Sequence, residues 1–255
     1  MQTIDPKTET EEIVRFLKTT FTETGFSKAV IGVSGGVDSA VSCALAVQAL
    51  GVSNVYPVLL PYGINSMQST MDGMNLVESL KIPIVQISRI DIKPSTDAMI
   101  AVCGGTDNLR RGNIMARMRM VALFDQAKKR TALVVGTENK SEHLLGYYTR
   151  FGDEASDVEP IINLYKTQVY EMAKYLRIPE GIINKAPTAD LWMGQTDEGE
   201  FGFTYKEADE ILSLYIDQKK TVPEIIKSGF SEALIGQVIA RVNRNSFKND
   251  LPYRR

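Results

Sequence analysis

Four short runs of β-branched and apolar residues, each followed by a stretch of helical length, constrain this chain more than any other feature. They are Ala29–Val33, Val55–Leu60, Ile84–Ile87 and Ala132–Val135, with helices expected between them over 38–50, 66–81 and 108–130. Runs this continuously apolar belong to strands covered on both faces, which is the signature of a parallel sheet with helices on either side. Pro57 has no N–H for a ladder and predicts an edge position or a bulge in the second strand. After Gly136 no comparable strand recurs. Helices are expected at 165–177, 204–218 and 231–243, with long polar loops at 149–160 and 187–202 of the kind that bind ligands or move. The expectation is one domain over 1–255 of the α/β class. It is a three-layer, doubly wound, Rossmann-like parallel sheet with a helical C-terminal portion.

Charge and cysteine use narrow the function classes. Lys and Arg total 29 against 31 Asp and Glu, a formal net charge of −2, which lacks the positive field of a nucleic-acid binder. No apolar run approaches the length of a membrane span. The start, Met1-Gln2-Thr3-Ile4-Asp5-Pro6, carries no secretory signal pattern. Cys43 and Cys103 sit in apolar stretches far apart and read as small buried residues. They form neither a disulfide framework nor a zinc ribbon, as suits a reducing cytoplasm. The expected protein is cytoplasmic and acts on small molecules, with no nucleic-acid or membrane partner.

The most specific motif is Gly32-Val33-Ser34-Gly35-Gly36-Val37-Asp38-Ser39, which leaves the first strand and opens the helix at 38–50. Paired glycines permit a sharp turn and bring backbone N–H groups close to a ligand. Ser34 and Ser39 add hydroxyls, and the helix N-terminus adds the positive end of a dipole. Together these make an oxyanion site of pyrophosphate size. The loop is neither Walker A, since Gly-Lys-Ser/Thr is missing, nor G-x-G-x-x-G. A carboxylate beside phosphates is repulsive unless a divalent cation lies between them, so Asp38 predicts Mg²⁺. If the first three strands wind one way and the fourth returns beside the first, residues 34–39 lie next to 136–142 and Asp38 meets Glu142.

Ser34-Gly35-Gly36-Val37-Asp38-Ser39 resembles the S-G-G-x-D-S loop of the ATP pyrophosphatases. Within that group the chain is similar to the ammonia-dependent NAD synthetases, from about residue 10 to residue 252. The resemblance rests on Arg117-Met118-Arg119-Met120, Gly136-Thr137-Glu138-Asn139-Lys140-Ser141-Glu142, Gly152-Asp153 and Lys185-Ala186-Pro187-Thr188-Ala189-Asp190-Leu191. It implies ATP-dependent amidation of deamido-NAD to NAD with ammonia, through an acyl-adenylate, releasing AMP and pyrophosphate. ATP would touch Gly32, Val33, Ser34, Gly35, Gly36, Val37, Asp38, Ser39, Thr137, Lys166 and Thr188. Asp38 and Glu142 would hold Mg²⁺. Asp38 and Lys166 would act in catalysis, and Asp153 would take the ammonium proton. Deamido-NAD would touch Arg117, Arg150, Asp157, Phe247 and Lys248. Two positions depart from the family: Arg150 stands where lysine is usual, and Phe247 where histidine is usual. The family implies a homodimer with the dinucleotide at its interface. Met1-Gln2 supplies no cysteine nucleophile of an attached glutaminase, so ammonia is expected free or from a separate protein.

Other residues receive plain readings. His143, the only histidine, is expected to be structural and partly exposed, and Met115, Met118 and Met120 are expected in the core. Lys166 at a helix start is electrostatically misplaced as mere structure. The rival readings are another ATP pyrophosphatase, tRNA-thiolating or guanylate-forming, and a non-catalytic adenine-nucleotide module.

Overall fold

Strands β1 (Ala29–Gly32), β2 (Val55–Leu59), β3 (Ser88–Arg89) and β4 (Leu133–Val135) pair in parallel in the order β3-β2-β1-β4. They are seen in a computed structural model that describes residues 3–63, 67–188, 191–192 and 194–250. Ala29 aligns with Val55 on one side and Leu133 on the other, so β1 is flanked by the strand that follows it and by the last strand. The winding therefore reverses at β1, which places ligands beyond the carboxyl ends of β1 and β4.

The helices are α1 (Pro6–Thr24), α2 (Val37–Leu50), α3 (Met67–Ser79), α4 (Lys93–Val102), α5 (Asn108–Arg130) and α6 (Lys140–Leu145). They continue with α7 (Lys166–Tyr175), α8 (Glu180–Ile183), α9 (Asp197–Phe201), α10 (Tyr205–Leu212), α11 (Val222–Lys227) and α12 (Glu232–Asn245). Ala29 and Ile31 face a core built with α1, α2, α3 and α7, while Val30 and Val58 face Ala127 and Leu123 of α5. Period-two alternation onto two covered faces explains why the strand runs read as continuously apolar. Ten of the 14 residues of α2 are buried, because α1 and α7 cover the side turned away from the sheet. A third core, with Leu145, Phe201, Tyr205, Ile211, Ile235 and Val238, binds α6 to the C-terminal helices. Among the described residues no helix is long and apolar enough to cross a membrane.

Four expectations need correction. The third strand does not lie at 84–87. Ile84–Gln86 form a 3₁₀ turn after Pro83 with Ile84 and Val85 exposed, and the ladder begins only at Ser88. The buried Gln86 amide holds this turn by donating to the Val52 and Val55 carbonyls (2.9 and 2.7 Å). Pro57 lies in an interior strand, paired opposite Ile31, and no bulge is needed. The Leu59 carbonyl accepts from Ile90 on the β3 side, so by strand alternation Pro57 turns its missing donor to that side too. β3 starts pairing only at Val58, so no ladder bond is lost there. Cys103 is exposed rather than buried, at the end of α4 before Gly104-Gly105. The helix at 204–218 is α10 followed by a π-helical turn, Ser213–Asp217. Helices α1, α4, α8, α9 and α11 had no counterpart in the sequence reading, and α9 lies where a loop was expected.

Candidate active site

The loop from β1 to α2 is shaped by its own side chains. Ser39 is buried; its hydroxyl donates to the Gly36 carbonyl (3.0 Å) and accepts from the Ser34 N–H (3.2 Å). The Ser34 hydroxyl in turn accepts from the Gly36 N–H at 3.2 Å. Ser39 thus builds the loop, while Ser34 stays exposed toward the cavity. Gly35 has φ +78°, and a Cβ there would lie 2.5 Å from the Ser69 carbonyl of α3, so glycine is required. Gly36 caps α2 without a side-chain bond, which leaves the positive end of the helix turned to a ligand.

At the carboxyl end of β4, Asn139 starts α6 through a capping box. Its side-chain oxygen accepts from the Glu142 N–H at 3.0 Å, and the Glu142 carboxylate reaches back toward the Asn139 N–H. The Asn139 amide nitrogen donates to Asp38 Oδ1 at 2.9 Å. Lys166, the first residue of α7, donates from Nζ to Asp38 Oδ2 (2.6 Å) and Glu142 Oε1 (3.1 Å). Sharing one ammonium, the two carboxylate oxygens are at most about 6 Å apart. They come from residues 104 positions apart in the sequence, as the reversal at β1 predicts.

Lys166 is not misplaced. Asp209 of α10, fully buried, accepts from the Thr167 N–H (2.9 Å) and hydroxyl (2.8 Å), putting an acid at the start of α7. The Ser141 hydroxyl donates to Asp209 (2.5 Å) and accepts from the Lys166 N–H (2.8 Å). Burial pulls the Lys166 ammonium down, but Asp38 and Glu142 together outweigh it, and its pKa lies above the usual lysine range. Burial, with Asp38 alongside, raises the Glu142 carboxyl against the opposing pull of Lys166. The Tyr205 ring lies 5.1 Å from Lys166 Nζ, and its hydroxyl donates to Asp197 Oδ2 at 3.1 Å. Asp197 Oδ1 is buried with no hydrogen-bond partner among the described residues.

A cavity of about 610 Å³ opens over this centre. Gly32, Val33, Ser34, Gly36, Val37, Asp38 and Ser39 line it, as do Thr137, Glu142, Lys166, Thr188, Asp153 and Lys248. Gly35 sits behind the loop, packed on α3. Asp153 is exposed to the cavity, yet protein packed around its carboxyl desolvates and raises it, against the bond it accepts from the Thr149 N–H (2.9 Å). The remaining dinucleotide candidates are not brought to the cavity. Arg117 donates to the Arg150 carbonyl (3.1 Å), Arg150 donates to the Asp250 carbonyl, and Phe247 is exposed. Asp157 accepts from the Val134 N–H (2.8 Å) where residues 157–158 pair along the outer edge of β4. Lys248 Nζ is engaged by the carbonyls of Gly146 (2.7 Å) and Tyr148 (2.8 Å).

His143 is partly exposed and pairs with buried Glu138 (3.0 Å), which raises the imidazole pKa. Met115 is buried in the protein, while Met120 lines the cavity. Sequence reasoning missed Asn139, although Asn139-Lys140-Ser141-Glu142 has the capping-box spacing. It also missed Lys185, which ties the Pro187 loop to Asp72 (3.1 Å) and Ser69 (3.2 Å) of α3. Asp209 carries no local signal at all.

The family model for NAD synthase matches residues 9–252. The chain belongs to the NAD synthase family. It is 45% identical over 241 residues to the NH(3)-dependent NAD(+) synthetase of Fusobacterium nucleatum, covering 94% of this chain and 92% of that protein. Among solved structures it is similar to NMN synthetase from Francisella tularensis, with TM-score 0.86, 35% identity and 99% of each chain covered. It is also similar to the NH3-dependent NAD synthetase of Campylobacter jejuni in complex with nitrate, with TM-score 0.82, 32% identity, and 98% and 99% covered. With NAD synthase membership comes a C–N bond-forming, ATP-binding ligase at the last step of NAD biosynthesis. The thiolating, guanylate-forming and non-catalytic readings are not favoured.

Proposed function

We propose that this chain binds ATP on the β1–α2 loop and joins ammonia to the nicotinate carboxylate of deamido-NAD in the cavity above it. The observation that carries this reading is the convergence of Asp38, Glu142 and Lys166 beside the loop. A nicotinate oxygen attacks the α-phosphorus of ATP. An O–P bond forms, the bond to the β-phosphate oxygen breaks, and pyrophosphate leaves. Ammonia then attacks the acyl carbon, AMP departs, and the proton released from nitrogen goes to a base, for which Asp153 is placed on the cavity wall. The loop N–H groups hold the phosphates, and the Lys166 ammonium offsets charge on the leaving group.

A divalent cation fits this donor set. Two carboxylates, Asp38 and Glu142, meet beside the phosphate loop. Among the described residues no three His, Cys, Asp or Glu side chains form a protein-only cage, so phosphate oxygens would complete the shell. Asp38 and Glu142 would hold Mg²⁺, which when bound neutralises phosphate charge. Arg117, Arg150, Asp157 and Phe247 stand outside the cavity of the single chain. That placement supports a dinucleotide site completed by a second copy.

Incubation with ATP, Mg²⁺, ammonium and either deamido-NAD or its mononucleotide acid, followed by assay of amide and AMP, tests the reading. NAD and AMP are expected in equal amounts from deamido-NAD. Preferential amidation of the mononucleotide would replace the substrate assignment. The Asp38→Ala protein should fold and release no pyrophosphate; normal turnover by it would remove Asp38 from the site.

A further inference from the structure

We propose that Asn139 is the positioning residue that sets the spacing of Asp38 and Glu142. The inference rests on the reading of those two carboxylates given above, and it concerns a residue to which neither the phosphate loop nor the cavity assigns a role. Asn139 is fully buried and spends its amide on the Asp38 carboxylate and the Glu142 main chain. Its oxygen accepts from the Glu142 N–H at 3.0 Å, and its nitrogen donates to Asp38 Oδ1 at 2.9 Å. The assignment of oxygen and nitrogen is forced, since one neighbour is a donor and the other a carboxylate. Lys166 takes the second oxygen of Asp38, so both oxygens of that carboxylate are directed by protein groups.

The geometry matters because Asp38 and Glu142 belong to different elements. Asp38 rides on α2 after β1, and Glu142 on α6 after β4. Lys166 joins them by a flexible ammonium stem, which draws the acids together but fixes no angle. Asn139 ties the Asp38 carboxylate by a short planar amide to the main chain that carries Glu142, and the capping box turns the Glu142 carboxylate back toward the same residue, which fixes the distance between the two segments. A carboxylate with one oxygen held by a rigid donor has its remaining lone pairs pre-aimed, which is the preorganisation that phosphoryl chemistry needs.

Three substitutions separate this role from that of a helix cap. Asn139→Ser keeps an N-cap of comparable quality but is too short to reach Asp38. Asn139→Asp keeps cap and length but replaces the donor by a second acceptor. Asp38→Asn is the control for the underlying reading. The expected result is that both variants fold with a lowered thermal midpoint, Asn139→Asp the more because it sets a buried carboxylate against Asp38, and that both keep the parent affinity for ATP in EDTA, measured by calorimetry. Both should lose kcat by at least about tenfold, with KM for ATP little changed. Both should also lose the extra thermal stabilisation that Mg²⁺ adds to ATP, a readout independent of turnover. Parent kcat in Asn139→Asp would overturn the proposal, because shape and capping would then suffice. Parent-like extra stabilisation by Mg²⁺ in the presence of ATP in Asn139→Ser, with only the midpoint of the free protein lowered, would overturn it in favour of a capping role alone. If Asp38→Asn turns over normally, the reading of the carboxylates fails and this inference with it. If Asp38→Asn is inactive while both Asn139 variants are active, only the inference fails.

Discussion

Lys166 shows how a buried charge is tolerated by being useful. Its side chain is 4% exposed and sits between two carboxylates, each 17% exposed. Removing one partner of a buried ionic group costs about 3–5 kcal/mol, because the other charges remain without compensation. Lys166→Met is expected to abolish turnover and to lower the thermal midpoint by roughly 6–20 °C. Mg²⁺ alone should recover part of that loss by supplying the missing positive charge. A variant as stable as its parent would show that the ammonium contributes nothing to the fold. Glu159 presents the opposite case, since burial pushes its carboxyl up to about 8 from an ordinary 4.5. Between those values the folded state holds more protons than the unfolded state, so stability declines as pH rises through that window. Glu159→Gln keeps an acceptor for the Glu138 N–H (3.1 Å). It should match the parent near pH 4 and gain on it progressively toward pH 9 in calorimetric scans. A difference constant with pH would remove Glu159 as its source. At this scale Asp38 was legible in the phosphate loop, and Glu142 only through the resemblance of its segment to the family's. Glu159 was not, because nothing in its neighbourhood announces that the Glu159 carboxylate fills the space a side chain at Gly136 would need.

Helix α7 shows how an element is placed by partners far away in the sequence. Asp209 receives the Ser141 hydroxyl and both donors of Thr167, so α6, α7 and α10 share one carboxylate. Asp209→Asn should cost about 1–3 kcal/mol and lower kcat as Lys166 loses its anchored backbone. Chemical denaturation and steady-state kinetics would check both, and retained stability would show that the charge is dispensable. Parallel strands and amphipathic helices were read correctly wherever period and length agreed. The third strand was misread because a β-branched run does not pair when its residues stay in solvent. Its position is held by the Gln86 side chain instead.

The whole molecule closes on itself through its C-terminal turn. Asn249 accepts from the Tyr148 hydroxyl at 2.5 Å, and Lys248 holds the carbonyls of Gly146 and Tyr148. A side chain at Gly146 would collide with Asn245 at 2.3 Å, which shows how closely α12 lies on this loop. Lys248→Met is expected to raise KM for deamido-NAD severalfold while kcat for bound substrate changes little, since it loosens the cavity wall rather than the phosphate centre. An equal fall in kcat would place Lys248 in the chemistry instead. From the amino-acid order alone came the parallel α/β class and the phosphate loop, which local periodicity and a short motif encode. The reversal beside the first strand entered only as a condition, and Glu142 as the partner of Asp38 through the family resemblance. Folding in three dimensions supplied Asn139 as a bridge, Asp209 as an anchor for Lys166, and the C-terminal clamp. It also placed Arg117, Arg150, Asp157 and Phe247 outside the cavity. Those outcomes depend on contacts between residues tens of positions apart, where side-chain direction and burial, rather than residue type, decide which groups meet.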